Sequence, residues 1–283
     1  MSGDRPHPGD GWRKRFYTIW VGQQTSQLGS AVAQFAIVWW LTARTGSATV
    51  LATATLVARL PTIVLGPFVG ALVDRWNRKR VMILADGLVA LASGWLALLF
   101  LRGGARVGHV YLVMFVRAVG MGFHSPAAQA SVALMVPEER LPRIAGLNQA
   151  LSGAALIIAP PLGALCLALM PLQGVMAIDV ATALTAIIPL SLTRVPQPPA
   201  SLAPVRPTLW QDVRAGLRYV RAWPELLLIC GAATLVDFFI GPALALAPIL
   251  VKVEWGGGAV QLGWINSAWG LGLVAVGLLL GAW

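Results

Sequence analysis

Long apolar segments alternate with short polar connectors along nearly the whole chain. A helix needs about 20 apolar residues to cross the hydrocarbon core of a bilayer. Eight segments approach or exceed that length, and we predict a membrane-spanning helix for each of them. They lie at residues 16–41, 49–73, 81–101, 109–131, 144–170, 172–193, 226–251 and 260–283. The pattern predicts an all-α protein that crosses the membrane repeatedly.

One connector, at residues 194–225, is longer than the others. It opens with a proline-rich run, which is typical of an extended linker. It closes with a segment that places Trp210 and Leu217 on one helical face and Arg214 and Arg218 on another, a pattern typical of a helix on the membrane surface. We therefore predict a domain boundary here. The predicted parts are a cytoplasmic tail at 1–15, a six-helix bundle at 16–193, a cytoplasmic linker at 194–225 and the first two helices of a second, incomplete bundle at 226–283.

Composition and charge support a membrane location. Hydrophobic residues make up 57% of the chain and charged residues 11%, which excludes an ordinary soluble domain. The net charge of +10 does not indicate nucleic-acid binding, because the bases form short clusters between apolar segments. Most of the 21 lysines and arginines fall on one side of the predicted topology, which marks that side as cytoplasmic. We predict a multi-pass protein of the plasma membrane with its N-terminus in the cytoplasm.

The sequence indicates neither a catalytic site nor a metal or cofactor site. His7, His109 and His124 lack the spacing of metal ligands, and Cys166 and Cys230 fall in apolar spans. Motifs for a phosphate-binding loop and for a nucleophilic serine do not occur. We predict that the protein is not an enzyme and that an ion gradient, or the gradient of the substrate itself, drives any transport.

Five ionisable side chains fall inside the predicted spans: Arg59, Asp86, Arg117, Asp179 and Asp237. A charge in the hydrocarbon layer costs several kcal/mol unless it is paired or faces water. These two bases and three acids are able to neutralise one another across a central cavity. They are either fixed ion pairs between helices or sites for protons and substrate.

The first span also carries a stripe of neutral polar residues. Gln23, Gln27, Ser30 and Gln34 recur at nearly whole helical turns and share one face. A carboxamide both donates and accepts hydrogen bonds. The stripe suits either a wet substrate path or hydrogen bonds between helices, and both interpretations stay open.

A pair of glycines four residues apart occurs at corresponding positions of two helix pairs, which suggests an internal repeat. Gly66 and Gly70 near the end of the second span correspond to Gly277 and Gly281 near the end of the eighth, at a similar distance from the start of each helix pair. The offset favours a parallel repeat of a six-helix unit whose second copy is cut off, although paired glycines also serve close helix packing. We expect about four further helices to be missing from the second copy.

The connector between the second and third spans carries a recognisable motif. Gly70, Asp74, Arg75, Arg78 and Lys79 match, at fixed spacing, the signature of the major facilitator superfamily, which the chain resembles. Asn77 replaces the second glycine of that signature, and we expect it to adopt the left-handed turn that glycine favours, since asparagine tolerates that conformation. The resemblance implies that Asp74 caps a helix of the second bundle and so closes a cytoplasmic gate.

Further motifs extend the resemblance over nearly the whole chain. Arg117 begins a segment similar to the fourth-helix signature of the superfamily, whose arginine is implicated in proton coupling. Gly146, Pro160 and Gly163 fall where the antiporter signature has them, but alanines replace three of its glycines. Leu60-Pro61, Asp74-Arg75, Asp86 and the run from Gly216 to Tyr219 resemble the drug-efflux branch that includes macrolide and enterobactin exporters.

The resemblance implies a major facilitator fold of twelve helices with alternating access. The chain then holds the N-terminal six-helix bundle and the first two helices of the second, and is monomeric when full length. The expected function is export of amphipathic, drug-like or macrolide-like small molecules by proton antiport, with Asp237 or Asp179 exchanging the proton and Arg117 tuning it. The expected partners are the small-molecule substrate, protons and the lipid bilayer. The alternatives are a siderophore or lipid exporter on the same fold, or a truncated membrane protein that does not transport.

Overall fold

The computed structural model describes residues 11–193, 195–197 and 208–282, and in that part the chain is helical. Most of the predicted tail and most prolines of the predicted linker lie outside the described residues. The long helices are α1 Trp12–Thr45, α2 Ala48–Arg75, α3 Arg78–Leu101, α4 Val107–Met135, α5 Leu141–Leu169, α6 Leu172–Leu192, α8 Pro224–Ile249 and α9 Ala259–Ala282, with the shorter α7 Leu209–Arg221 between α6 and α8.

The eight long helices coincide with the eight predicted spans. Seven of the helices in the described ranges, α2 to α6 with α8 and α9, are long and apolar enough to cross a membrane. The first helix is less apolar because it carries the glutamine stripe and begins at Trp12, four residues before the predicted span. Its first turns therefore include the basic run Arg13 to Arg15, whose long side chains are able to reach the headgroup region from a helix end.

The first six helices form the core of the molecule. Helix α1 packs along α6 and α5, α3 packs between α4 and α6, and α2 lies on α4. Ala33, Ile37, Leu41, Leu96 and Met176 are buried in the main apolar cluster. Between membrane helices, small residues let backbones come close. At Gly22 a β-carbon would overlap the backbone of Thr185, so glycine is required where α1 meets α6.

The last two long helices lie against this core. Helix α9 packs along α5, where Ser267 Oγ donates a hydrogen bond of 2.6 Å to the carbonyl oxygen of Ile157. A β-carbon at Gly263 would come within 3.1 Å of the carbonyl oxygen of Pro160, so these two helices also approach closely. Helix α8 touches α2, and most of its side chains face outward.

The short helix α7 is the amphipathic segment predicted at the end of the linker. Thr208 and Gln211 form a capping box at its start, with Thr208 N donating to Gln211 Oε1 at 2.8 Å. Its large apolar side chains Trp210 and Leu217 are exposed to the surroundings. Because these side chains share one face, the helix is suited to lie on a membrane surface.

Candidate functional site

The connector between α2 and α3 ties together the ends of several helices. Asn77 caps α3, because its side chain accepts a hydrogen bond of 3.1 Å from Arg80 N. Its backbone has φ −70° and ψ 108°, so the expected left-handed conformation is wrong. A capping asparagine takes extended backbone angles, and this explains the difference.

The bases of the connector reach the ends of neighbouring helices. Lys79 Nζ donates to the carbonyl oxygens of Ser191 and Thr193, at 2.8 and 2.9 Å, at the end of α6. Carbonyl oxygens at a helix C-terminus carry partial negative charge and lack intrahelical partners, so a lysine stabilises them. Arg78 Nη1 likewise donates to the carbonyl oxygen of Ala130 in α4 at 3.2 Å.

Arg75 and Asp74 of the connector make different contacts. Arg75 Nη2 donates to Asp212 Oδ2 of α7 at 2.7 Å, which attaches the amphipathic helix to the end of α2. Asp74 accepts from Arg78 Nη2 at 3.2 Å, and its side chain is 71% exposed. A β-carbon at Gly70 would meet nothing within 4 Å, so its predicted role rests on the motif alone.

A cavity of about 470 Å³ lies between the six-helix core and the last two helices. Residues from α1, α2, α4, α5, α8 and α9 line it, and most of them are apolar. The polar groups in its wall include Gln34 of α1, Arg59 of α2, Ser152 of α5 and Asn266 of α9. An apolar cavity with a few polar groups is typical of a binding site for an amphipathic small molecule.

Arg59 pairs with Asp237 of α8 at the edge of this cavity. Arg59 Nη1 lies 2.6 Å from Asp237 Oδ2, and the two side chains are 54% and 63% exposed. The pair therefore sits outside the packed core. It connects the first bundle to the last two helices.

Arg117 and Asp179 form a buried ion pair between α4 and α6. Arg117 Nη1 donates to Asp179 Oδ2, and the two side chains are 7% and 1% exposed. Asp179 also accepts from Ser30 Oγ at 2.8 Å and from Ser93 Oγ at 2.6 Å. Both oxygens of the carboxylate are thus bound, and its charge is matched.

Asp86 lies in a second buried cluster, between α1, α3 and α4. Gln23 Nε2 donates to Asp86 Oδ2 at 3.0 Å, and Gln23 Oε1 lies 2.8 Å from His124 Nε2. The same nitrogen of His124 is 3.4 Å from Asp86 Oδ1. All three side chains are buried.

A smaller cavity of about 190 Å³ adjoins this cluster, towards the start of α1 and the end of α4. Its wall is more polar and contains Gln23, Gln27, His124, Asn148 and Ser152. Ser152 also lines the larger cavity, so this residue belongs to the walls of both cavities. On α1, Gln23 bonds across helices and also lines the small cavity, while Gln27 and Gln34 line the small and the large cavity. Both predicted interpretations of the stripe therefore stay open.

The three residues of the antiporter-like motif on α5 have different surroundings. Pro160 lines the larger cavity. At Gly163 a β-carbon would lie 2.7 Å from Phe35 Cδ1, so the glycine allows α1 and α5 to touch. At Gly146 a β-carbon would meet nothing within 4 Å. The structure thus gives packing reasons for Gly163 and a cavity position for Pro160.

Sequence reasoning missed His124. It considered the residue only as a metal ligand, and no group of three or more potential ligands occurs among the described residues. A histidine inside an apolar span was itself the available signal, because an ionisable group in a membrane needs a partner. The partner, Asp86, lies on another helix, and nothing in the spacing connects the two.

Comparison with known proteins places these features in context. A family model described as transmembrane secretion effector matches residues 12–282. Macrolide efflux protein A of Streptococcus pyogenes is 36% identical over 270 residues, which are 95% of this chain and 67% of that protein. A protein of the same name from Enterococcus faecalis is 34% identical over 83% of this chain and 73% of its own length. Enterobactin exporter EntS of Shigella flexneri is 29% identical over 74% of this chain and 48% of its own length.

Proposed function

The chain belongs to the transmembrane secretion effector family of major facilitator transporters, and on this premise we propose that it exports amphipathic small molecules in exchange for protons. The predicted resemblance and the all-α polytopic fold are confirmed. The family is one of membrane efflux transporters and not a class of enzymes. The substrate, the coupling ion and the mechanism are the parts that we propose.

The larger cavity is the observation that supports export of an amphipathic molecule. Its volume of about 470 Å³ suits a drug-sized ligand, and its apolar wall would bind an apolar body. Gln34 and Asn266 would form hydrogen bonds with polar groups of that ligand. Two relatives carry the name macrolide efflux protein, so a macrolide is the first substrate to test.

Alternating access is supported by where the cavity lies. Its walls come from the six-helix core on one side and from α8 and α9 on the other, so movement between these parts would change which side of the membrane the cavity faces. The excess of bases in the connectors favours a cytoplasmic N-terminus. In that orientation the connector with Asp74 lies inside, where the proposed gate would close.

Proton coupling requires an ionisable group whose charge changes during the cycle. Asp179 and Asp237, the carriers favoured by the sequence, each have an arginine partner. The Arg59–Asp237 pair is suited to respond to substrate, because it borders the cavity and links the two moving parts.

Transport by inverted membrane vesicles tests this proposal. Vesicles that contain the protein and have an acidic interior are expected to accumulate a radiolabelled macrolide, and a protonophore should abolish the accumulation. Arg59 also lines the cavity, where it would donate to a polar group of the macrolide. Arg59→Gln should therefore weaken macrolide binding about tenfold or more, since a bond to a charged group contributes about 1.5–3 kcal/mol. Arg44→Gln is the matched control, because Arg44 is an exposed residue at the end of α1 outside the cavity.

The same vesicles separate the alternatives. Accumulation that persists with the protonophore would contradict proton antiport. Failure to accumulate any tested substrate would favour the alternative that the protein does not transport. An anionic, siderophore-like substrate is the second candidate, because Arg59 lines the cavity and one relative is named enterobactin exporter. For that substrate Arg59→Gln would abolish transport and not merely weaken binding.

A further inference from the structure

Asp86 differs from the other two intramembrane acids in the group that balances its negative charge. Asp179 faces Arg117 and Asp237 faces Arg59, whereas the charged or ionisable group in contact with Asp86, within the part of the chain that the structure describes, is His124. The Asp86 residue is 7% exposed and His124 is 1% exposed. An unmatched carboxylate at this depth would cost several kcal/mol. A proton bound by the cluster would neutralise this charge and remove that cost.

The hydrogen bonds of Gln23 fix where that proton would go. The ionised carboxylate of Asp86 only accepts, so the group that Gln23 turns towards it is the NH₂. The oxygen of Gln23 then faces His124 Nε2, which must be the nitrogen that carries a hydrogen. The neutral ring consequently has a bare Nδ1. This atom is buried and has no hydrogen-bond partner among the described residues.

Among the described residues, the helices around the ring bring no second charge into contact with it. From α3 the ring meets Asp86, and Arg78 of the same helix binds further along α4, at Ala130. On α4 itself, Arg117 is bound to Asp179.

The charged residues of α2 are engaged elsewhere. Arg59 binds Asp237, Asp74 binds Arg78, and Arg75 binds Asp212. Helices α1 and α5 contribute neutral groups to the adjoining cavity, including Gln23 and Asn148. Asp86 is thus the group that sets the electrostatics of the ring.

The position of the cluster gives it access to protons and to the substrate cavity. His124 and Gln23 line the small polar cavity, and Ser152 forms part of the wall of both this cavity and the large one. A proton that reaches the polar cavity is therefore close to the ring, and the two cavities share a stretch of α5.

We propose that His124 binds the exchanged proton on Nδ1, with Asp86 as its counter-ion. The lone pair of Nδ1 takes a proton from the polar cavity, while the hydrogen on Nε2 stays with Gln23 and Asp86. The cluster passes from one net negative charge to none, which favours the conformation in which it is buried. Release of the proton reverses the step. The inference rests on the proposed proton antiport, for which it names the site.

Nitrogen NMR tests the site without any transport. The chain has 3 histidines, so His7→Gln with His109→Gln leaves His124 as the single ring to observe in lipid bilayers. In alkaline buffer the ring should carry its hydrogen on Nε2 alone, and an additional hydrogen on Nδ1 should appear across a series of increasingly acidic buffers. Asp86→Asn should lower the fraction of protonated rings in the acidic buffers, because it removes the carboxylate that lies 3.4 Å from His124 Nε2.

Three results would overturn the site: a hydrogen on Nδ1 with a bare Nε2, a ring that stays neutral over the whole range, or a titration that Asp86→Asn leaves unchanged. Each is observable even if the substituted protein transports nothing. The background with His7→Gln and His109→Gln also keeps Asp86 and Gln23 intact, so the first two results do not depend on a variant of the cluster.

Transport then tests the role of the site. His124→Gln should abolish proton-driven accumulation of the radiolabelled macrolide but retain macrolide exchange across the membrane without a gradient. His109→Gln is the matched control, the same substitution in the first turn of α4. Retained proton-driven accumulation in His124→Gln would contradict the inference. If the unsubstituted protein itself shows no proton-driven transport, the proposed antiport fails while the NMR titration still stands or falls separately.

Discussion

The buried carboxylates of Asp179 and Asp86, both in the six-helix core, differ in the hydrogen bonds and charges that surround them. Asp179 accepts hydrogen bonds from Ser30, Ser93 and Arg117, and Arg117 also donates to the carbonyl oxygen of Ser30 at 3.0 Å. Asp86 accepts one bond, from Gln23, and otherwise faces a histidine whose charge depends on its proton. The Asp179 site is an ion pair held by a complete hydrogen-bond network. Within the described part of the chain, the Asp86 site lacks a permanent positive charge to match its carboxylate.

The comparison distinguishes a carboxylate that holds two helices together from one that takes part in proton exchange. A carboxylate inside a saturated network is fixed, because protonating it would leave Arg117 charged and unmatched. A carboxylate beside a neutral histidine gains from a proton on that histidine. We therefore expect the Asp179 site to maintain the contact between α4 and α6, and the Asp86 site to change charge during transport.

The largest expected effect is the loss of the Asp179 charge. Asp179→Asn leaves Arg117 buried and unpaired, which should lower the free energy of unfolding by about 3–5 kcal/mol. The double variant with Arg117→Gln removes both charges and should recover most of that loss. Unfolding in detergent, followed by circular dichroism, measures the three free energies.

The corresponding change at the other site should behave differently. Asp86→Asn removes a charge that lacks a full partner, so in alkaline buffer it should cost much less than Asp179→Asn or should stabilise the protein. If Asp86→Asn destabilises the protein as much as Asp179→Asn does, the two sites are equivalent and the distinction drawn here is wrong.

The sequence predicted the helices but not their pairings. Apolar segments of membrane length set the number and position of the long helices, and α7 was readable from its alternating faces. The expectation that intramembrane charges pair could not say which acid meets which base, because Arg117 and Asp179 are 62 residues apart and meet only through packing.

Two local features were also not predicted from the sequence. Asn77 was expected in a left-handed turn and instead caps α3, since glycine and asparagine share the tolerance but only asparagine has a side chain to cap with. His124 stood out only as an ionisable residue inside an apolar span, and the spacing did not reveal its partners because they come from α1 and α3. Sites built from several helices are the part that spacing cannot reveal.

A smaller effect is expected where α3 and α4 touch between the two sites. At Gly120 a β-carbon would lie 2.9 Å from Val89 Cγ2 and 3.3 Å from the carbonyl oxygen of Ala85. Gly120→Ala should therefore push the helices apart, at a cost of about 1–3 kcal/mol, and loosen the contact between His124 and the neighbouring Asp86. The same unfolding measurement and the His124 titration both report on it.

Gly122→Ala is the matched control for this prediction, because a β-carbon there would meet nothing within 4 Å. It should leave stability within about 0.5 kcal/mol of the unsubstituted protein and leave the titration unchanged. Equal effects of the two substitutions would show that contact between α3 and α4 does not set the Asp86 site.

The smallest effect is expected for the partly exposed pair that attaches α7. The Arg75 and Asp212 side chains are 27% and 34% exposed, so water screens their attraction as it cannot at Asp179. A double-mutant cycle of Arg75→Gln and Asp212→Asn isolates this pair from the other contacts of Arg75. Its coupling energy should be about 0.2–1 kcal/mol and should shrink in high salt. A coupling as large as that of Arg117 with Asp179 would mean that exposure does not determine how firmly a charge pair is held in this molecule, and the contrast between the two buried sites would then need another cause.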